Sequence, residues 1–207
     1  MKKPVLALGL LAAALAWPVV ATAATPSASK APAPAQAAAQ AAAANQLLPA
    51  QSQVRFGAKQ MGVPMPGLFS KLAGTVQWHA AKPEASRIRL EIPVASATVG
   101  APEMDAELLK ADWFGASQFP TAVFESSSVR ALGGNRYEVQ GSLSIKGVRL
   151  PVTTEATVTS QGASSLATGQ LEIARLAYKI GLGPWGDTTV VANPVLIQYR
   201  IALKNAP

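Results

Sequence analysis

The chain has 207 residues, a formal net charge of +7, no cysteine and a single histidine, His79. These counts exclude disulfide bonds, a lipidated cysteine, a cysteine–histidine catalytic pair and a zinc site of cysteine and histidine ligands. The basic residues are scattered and do not alternate with aromatic residues, which argues against a nucleic-acid-binding surface.

Residues 1–23 are typical of a secretory signal peptide. Lys2 and Lys3 precede an uncharged apolar run from Val5 to Ala16, and small residues follow at 21–23. This run of about twelve residues is shorter than the roughly twenty needed to span a bilayer. We therefore expect cleavage before Ala24 rather than a retained membrane anchor, and export to the periplasm or beyond it.

Residues 24–46 are predicted to be a disordered spacer. The segment is rich in Ala, Pro, Ser and Gln and offers little that could pack against a core. Pro26, Pro32 and Pro34 oppose a helix in its first half. The folded domain is predicted to occupy residues 47–205.

Within the predicted domain, apolar and polar residues alternate, which is the pattern of half-buried β-strands. Gly133-Gly134-Asn135, Lys146-Gly147 and Gln161-Gly162 separate successive runs and predict turns between them. The pattern predicts eight strands, near residues 53–59, 71–80, 86–95, 120–131, 135–146, 147–160, 165–175 and 194–204.

One stretch, Pro102 to Lys110, predicts a helix. Pro102 suits the first turn of a helix, and the acidic residues after it favour the same end. Met104, Leu108 and Leu109 recur at helical spacing.

Together these elements predict an all-β fold, an eight-stranded antiparallel β-barrel with one short helical insertion. Strands of about ten residues are long for a sandwich, and a closed barrel leaves no exposed sheet edge. A barrel in the outer membrane fits less well, because aromatic girdles are missing and such a wall has no place for the helix.

The predicted inward face leaves two interpretations open, because an eight-stranded barrel holds either side chains alone or one small ligand. Small residues, among them Gly141, Ala156, Ala167 and Gly169, alternate with large aromatic ones. This mix is compatible with an elongated apolar cavity and equally with a filled core. A cavity would select apolar molecules, since each buried CH₂ contributes roughly 0.8 kcal/mol.

The sequence contains no pattern that indicates catalysis or a bound metal. His79 follows Trp78 at a strand end without a nucleophile or base near it, and is predicted to be an exposed turn residue. The glycine-rich segment 181–186 lacks the context of a phosphate loop. It either presents Trp185 at the barrel mouth or simply connects the last two strands. We predict a binding protein without a cofactor and without enzymatic activity.

Three motifs resemble those of the YceI-like lipid-binding family, a polyisoprenoid-binding, lipocalin-like group. The first comprises residues 109–114 (LKADWF) and 119–126 (FPTAVFES). The second is residues 141–148 (GSLSIKGV), with Ser144 where the family usually has Thr. The third is residues 185–193 (WGDTTVVAN), similar to a subgroup found beside or fused to cytochrome b561-type membrane proteins. That subgroup usually has an acid where Asn193 stands.

The resemblance extends over about residues 47–203 and departs from the family at one place. Many members carry an Asp-x-x-His-Ser stretch before the first strand, whereas this chain has Ala50-Gln51-Ser52 there. The chain therefore has no histidine at this point to contact a ligand head group.

The resemblance implies a periplasmic barrel that holds an isoprenoid, a quinone or a fatty amide. The predicted function is a carrier that sequesters a long apolar lipid. The alternatives are a quinone-shuttling partner of a cytochrome b561-type protein, a scavenger of lipophilic antibiotics, or an enzyme that acts on a lipid in the cavity. From strand parity, the predicted ligand contacts are Phe56, Trp78, Leu90, Ile92, Leu108, Trp113, Phe114, Phe124, Tyr137, Val139, Leu143, Leu171, Tyr199 and Ile201.

Overall fold

The computed structural model describes residues 45–205. The predicted signal peptide and residues 24–44 of the predicted spacer lie outside this range. Asn45 forms a bridge with Val76, and Gln46 pairs with Lys204. Strand pairing therefore begins two residues before the predicted start of the domain.

In this part of the chain, eleven strands and one α-helix form the framework. The strands are β1 (Gln46–Leu47), β2 (Gln53–Gln60), β3 (Val63–Phe69), β4 (Ala73–Gln77), β5 (Arg87–Pro93), β6 (Ala97–Thr98), β7 (Thr121–Gly133), β8 (Arg136–Ile145), β9 (Val148–Gln161), β10 (Ser164–Ala174) and β11 (Pro194–Lys204). The helix, α1, spans Pro102–Leu108, within the stretch predicted from the sequence.

The eleven strands form a closed antiparallel barrel with eight positions around its wall. Each position, called a stave here, is filled by one long strand or by two short strands in line. β1 and β2 both pair with β11, so they are two halves of one stave. β3 pairs with β2 and β6, whereas β4 pairs with β5, and β6 continues β5 after a 3₁₀ turn. The remaining strands, β7 to β11, pair in chain order and return to the first stave. The predicted eight-stranded antiparallel barrel is confirmed.

Three strands are absent from the sequence prediction: β1 and β6, of two residues each, and the seven-residue β3. Two residues of β3, Pro64 and Pro66, cannot donate a backbone hydrogen bond, which ordinarily argues against a strand. Every residue of β3 pairs with β2, but β6 covers the other edge of β3 only at Leu68 and Phe69. Pro64 and Pro66 lie outside the stretch that β6 covers. The edge of β3 is unpaired there, so the two prolines interrupt no hydrogen bonds to a neighbouring strand.

The two ends of the barrel are built differently. The end with the β7–β8 and β9–β10 hairpins is closed by Trp78 and Tyr137, whose ring centroids are 4.7 Å apart in an edge-to-face arrangement. The opposite end carries the β2–β3 hairpin, α1 and the connection between β10 and β11, residues 175–193. The second end is therefore the one that a helix and long loops cover.

The turns follow the sequence prediction. At Lys146-Gly147, between β8 and β9, φ is +49° and +74°. Positive φ at both central residues is the conformation that a two-residue hairpin turn requires. The Lys-Gly pair therefore fixes the register that places alternate residues of β8 and β9 inside the barrel.

Candidate functional site

The barrel encloses an inner cavity of about 150 Å³. Inward-facing side chains of the strands form its wall, as the alternation in the sequence predicts. Eleven of the fourteen predicted contact residues line it: Trp78, Leu90, Ile92, Phe114, Phe124, Tyr137, Val139, Leu143, Leu171, Tyr199 and Ile201.

An outer cavity of about 170 Å³ lies between the loop-covered end of the barrel, α1 and the 175–193 connection. Phe56, Leu108 and Trp113 line it, and Phe114 lines both cavities. All fourteen predicted residues thus border one cavity or the other. Their contact with a ligand stays a prediction.

The small residues of the inner wall contribute less space than the sequence suggests. The ring of Phe124 lies over Gly141, where a Cβ would be 2.8 Å from its nearest ring carbon. The Tyr199 ring covers Gly169 in the same way, and a Cβ there would be 2.2 Å from the phenol oxygen. The glycines therefore accommodate aromatic rings of neighbouring positions, and the cavity is what those rings leave unfilled.

Two hydroxyl groups of the inner wall have protein partners. The Thr154 hydroxyl donates to the carbonyl of Gln170 at 2.9 Å and lies 3.0 Å from the Tyr199 hydroxyl. Burial raises the pKa of Tyr199, although the hydrogen bond to Thr154 acts in the opposite direction. The inner cavity thus presents an uncharged and almost wholly apolar wall.

The stability of the barrel is expected to fall as the pH rises above about 10, the ordinary pKa of tyrosine. The unfolded chain releases the Tyr199 proton there, whereas the folded barrel holds it to higher pH, so alkaline conditions favour unfolding. Urea unfolding between about pH 8 and 11 measures the slope. Tyr199→Phe should make this decline in stability with pH shallower. Part of the decline should remain in the variant, because burial also raises the pKa of Tyr178. An identical slope in both proteins would contradict this assignment.

A buried arginine organises the wall of the outer cavity. Arg175 is 1% exposed and donates all five of its N–H groups to backbone carbonyls. The acceptors belong to Ile180, Gly181, Trp185, Val191 and Ala192, at 2.6–3.1 Å. Burial lowers the pKa of Arg175, but a guanidinium stays protonated in proteins. Its charge is therefore met by carbonyl dipoles, which fix the path of the 175–193 connection.

The rim of the outer cavity combines aromatic and charged side chains. Trp185 lines the cavity, with its ring centroid 5.6 Å from that of Trp113. The connection between the last two strands thus does present this tryptophan at the mouth. Glu107 of α1 forms an ion pair with Lys110 at 2.5 Å. The pKa of Glu107 is lowered, mainly by the hydrogen bond that it accepts from Lys110. Lys59 and Gln60 complete a rim that is more polar than the interior.

Several lining residues are not among the predicted ligand contacts. Phe69 lines the inner cavity and lies on β3, a strand that was not predicted because it contains two prolines. Arg175 follows β10 and belongs to none of the three sequence motifs. The only sequence signal for a role of Arg175 is its position directly after an alternating strand. Ile145 and Ile197 lie on correctly predicted faces but were not selected, because strand parity gives the side of a residue and not its depth.

The segment that departs from the family pattern has a structural role. Residues 49–51 form a 3₁₀ turn between β1 and β2. The Ser52 hydroxyl donates to the carbonyl of Leu48 at 2.9 Å and accepts from the N–H of Ala202 at 3.0 Å. Ser52 thus ties the kink in the first stave to β11.

The described residues contain no arrangement typical of catalysis or metal binding. His79 is exposed, as predicted, and its carbonyl accepts a turn hydrogen bond from Lys82. Between Asn45 and Asn205, no three His, Asp or Glu side chains are placed to hold a metal ion. Over the same range, none of the helices has the length and apolar character needed to cross a membrane.

A closed antiparallel barrel, with an apolar interior and a helical insertion over one end, defines a lipocalin-like β-barrel protein. Residues 46–203 match the family model of the YceI-like domain, so the chain belongs to the YceI-like family. The predicted membership of this family is thereby confirmed.

Known structures and curated relatives agree with this assignment. The chain is similar to BcnA of Burkholderia cenocepacia, with 37% identity, a TM-score of 0.74, and 76% of this chain and 99% of that one covered. It shares the fold of a polyisoprenoid binding domain from Saccharophagus degradans, with 17% identity, a TM-score of 0.66, and coverage of 80% and 99%. UPF0312 proteins of Pseudomonas putida and Azotobacter vinelandii are 36% and 34% identical over 96 residues. These alignments span 46% of this chain and 50% of each relative's length.

Proposed function

We propose that this protein is a periplasmic carrier that sequesters a long apolar lipid, an isoprenoid or a quinone with an isoprenoid tail, and that it is not an enzyme. The observation that carries the proposal is the pair of cavities inside the barrel, the inner one lined almost wholly by apolar side chains. The Saccharophagus degradans domain of the same fold is described as polyisoprenoid binding, which supports this class of ligand.

The polarity of the two cavities supports one orientation of the ligand. The inner wall carries no charged side chain, and its Thr154 and Tyr199 hydroxyls bond to each other. The outer rim carries Lys59, Gln60 and Glu107. A lipid therefore places its hydrocarbon chain in the inner cavity and any oxygen-bearing end at the rim, where it keeps access to water.

The expected affinity comes from the chain rather than from the head. Each CH₂ that leaves water contributes roughly 0.8 kcal/mol, less the cost of ordering the chain. Affinity should accordingly increase with the number of isoprene units until the available space is filled.

The first test is native mass spectrometry of protein purified from the periplasm of its own bacterium. We expect a bound species whose extraction yields an isoprenoid or quinone lipid. Protein recovered from the cytoplasm alone would contradict the location. Failure of any apolar compound to associate with the purified protein would contradict the function.

Filling the inner cavity gives a second test. Ala167 lines that cavity on β10, whereas Ala174 is exposed on the same strand. Ala167→Leu adds three carbons to the cavity, so the affinity for geranylgeraniol should fall by about 2 kcal/mol, or roughly thirtyfold, in titration calorimetry. Ala174→Leu is the matched control and should leave the affinity unchanged. Equal affinities of the two variants would indicate that the ligand does not occupy the barrel.

A quinone-shuttling role beside a cytochrome b561-type membrane protein is a second proposal. It is favoured by residues 185–193, the segment with the subgroup motif, because Trp185 and Val191 of this segment line the outer cavity. Co-purification of such a membrane protein with the tagged chain, and its loss in Trp185→Ala, would support the role.

A further inference from the structure

The inner and outer cavities meet at a ring of four apolar side chains. Phe69, Phe114, Ile145 and Ile197 line both cavities, and they come from β3, the segment after α1, β8 and β11. Because these elements surround the barrel axis, the four side chains form a partition across the interior.

The two phenylalanines of the partition are held by other aromatic rings. The rings of Phe69 and Phe114 are 5.8 Å apart in an edge-to-face arrangement, and Phe69 also packs at 5.2 Å on Phe56. Phe114 is 8% exposed, and its N–H donates to the carbonyl of Leu108 at 3.0 Å. The ring of Phe114 therefore reaches the barrel interior from the helical insertion, and the segment that bears it does not belong to the sheet.

The partition matters for binding because each cavity alone is small. The cavities measure about 170 and 150 Å³, and each alone is smaller than the roughly 300–1,000 Å³ of most small-molecule pockets. Combined, they reach the lower end of that range. A ligand of ordinary size must therefore occupy both cavities and pass between the four side chains.

We infer that Phe69 and Phe114 are specificity-determining residues that select long, slender, flexible apolar chains. A short chain fits in the outer cavity alone and does not have to pass between the partition side chains. A long chain must displace the two rings to reach the inner cavity, and a rigid fused-ring lipid is too wide to pass. This inference rests on the proposed lipid-binding function and adds the shape of the ligand that the site accepts.

Association kinetics of a short and a long prenol, geraniol and geranylgeraniol, test the inference by stopped-flow tryptophan fluorescence. Phe114→Ala widens the passage, so association of geranylgeraniol should become about tenfold faster, while that of geraniol stays within about twofold. Phe119→Ala is the matched control, because Phe119 lines neither cavity. It should leave both association rates within about twofold of the wild-type values.

The outcomes separate this inference from the proposed function. If wild-type protein binds neither prenol, both proposals fail. If it binds geranylgeraniol but Phe114→Ala and Phe119→Ala change its association rate equally, the partition is overturned and the carrier function stands. Should Phe114→Ala not fold, Phe114→Leu and Phe69→Leu replace it, and an unchanged rate for geranylgeraniol in both would overturn the inference.

Discussion

Replacing Arg175 with methionine is expected to lower the free energy of unfolding by about 4 kcal/mol. Methionine has a comparable length but no donors, so five backbone carbonyls lose the partner that they now share. Each buried acceptor left without a partner costs about 1–3 kcal/mol, and local rearrangement recovers part of that sum. Arg175→Lys keeps the charge but has only three donors, so its loss of stability should be intermediate.

Urea unfolding measures these changes, and a second arginine provides the control. The Arg149 side chain is 61% exposed and pairs with Glu125 at 2.8 Å. Exposed ion pairs contribute about 0–1 kcal/mol, so Arg149→Met should have little effect. A similar loss of stability in the two methionine variants would show that the carbonyl cluster does not organise the fold. The Arg175 variants should also bind geranylgeraniol more weakly where they remain folded, because the 175–193 connection forms part of the outer cavity.

Replacing Gly74 with alanine is expected to destabilise the barrel by about 3 kcal/mol or more, the sum of backbone strain and a steric clash. Gly74 has φ +144°, a conformation that residues with a side chain rarely adopt. A Cβ there would lie 2.1 Å from the carbonyl oxygen of Arg89 and 2.9 Å from the Cα of Leu90, both in the backbone of β5. Because neither atom can turn away as a side chain would, the alanine has to push β4 and β5 apart.

Gly100→Ala is the matched control for this substitution. Gly100 also has a positive φ, +82°, but a Cβ there would meet nothing within 4 Å. The control should therefore show the conformational cost alone, about 1–2 kcal/mol. Thermal unfolding should place the midpoint of Gly74→Ala several degrees below that of Gly100→Ala, since about 1 kcal/mol corresponds to roughly 2–4 °C in a domain of this size. Equal midpoints would mean that the two strands separate at little cost.

Gly74 also explains how closely β4 lies against β5. Its partner in the strand pair is Leu90 of β5. Such close contact of β4 with the backbone of β5 is possible only without a side chain at residue 74. Local pattern does not reveal this requirement, because the glycine stands between ordinary strand residues.

The sequence by itself determined the class of fold and the inward side of the strands whose residues alternate clearly. Alternation along β5, β8 and β11 assigned their inward faces because the period of a strand is two residues. The turn at Lys146-Gly147 and the helix beginning at Pro102 were predictable for the same kind of reason, since each depends on residues adjacent in the chain. These features are local, and their physical causes lie within a few residues.

Only the tertiary structure decided what the inward side chains enclose. Phe69 and Phe114 are 45 positions apart in the sequence, yet their rings lie 5.8 Å apart and line both cavities. The donors of Arg175 find their acceptors along a loop that has no regular period. Whether Gly141 leaves a space or receives the Phe124 ring depends on the depth and rotamer of a residue on another strand. Depth, rotamer and loop path result from packing among distant segments, so residue spacing alone does not determine them.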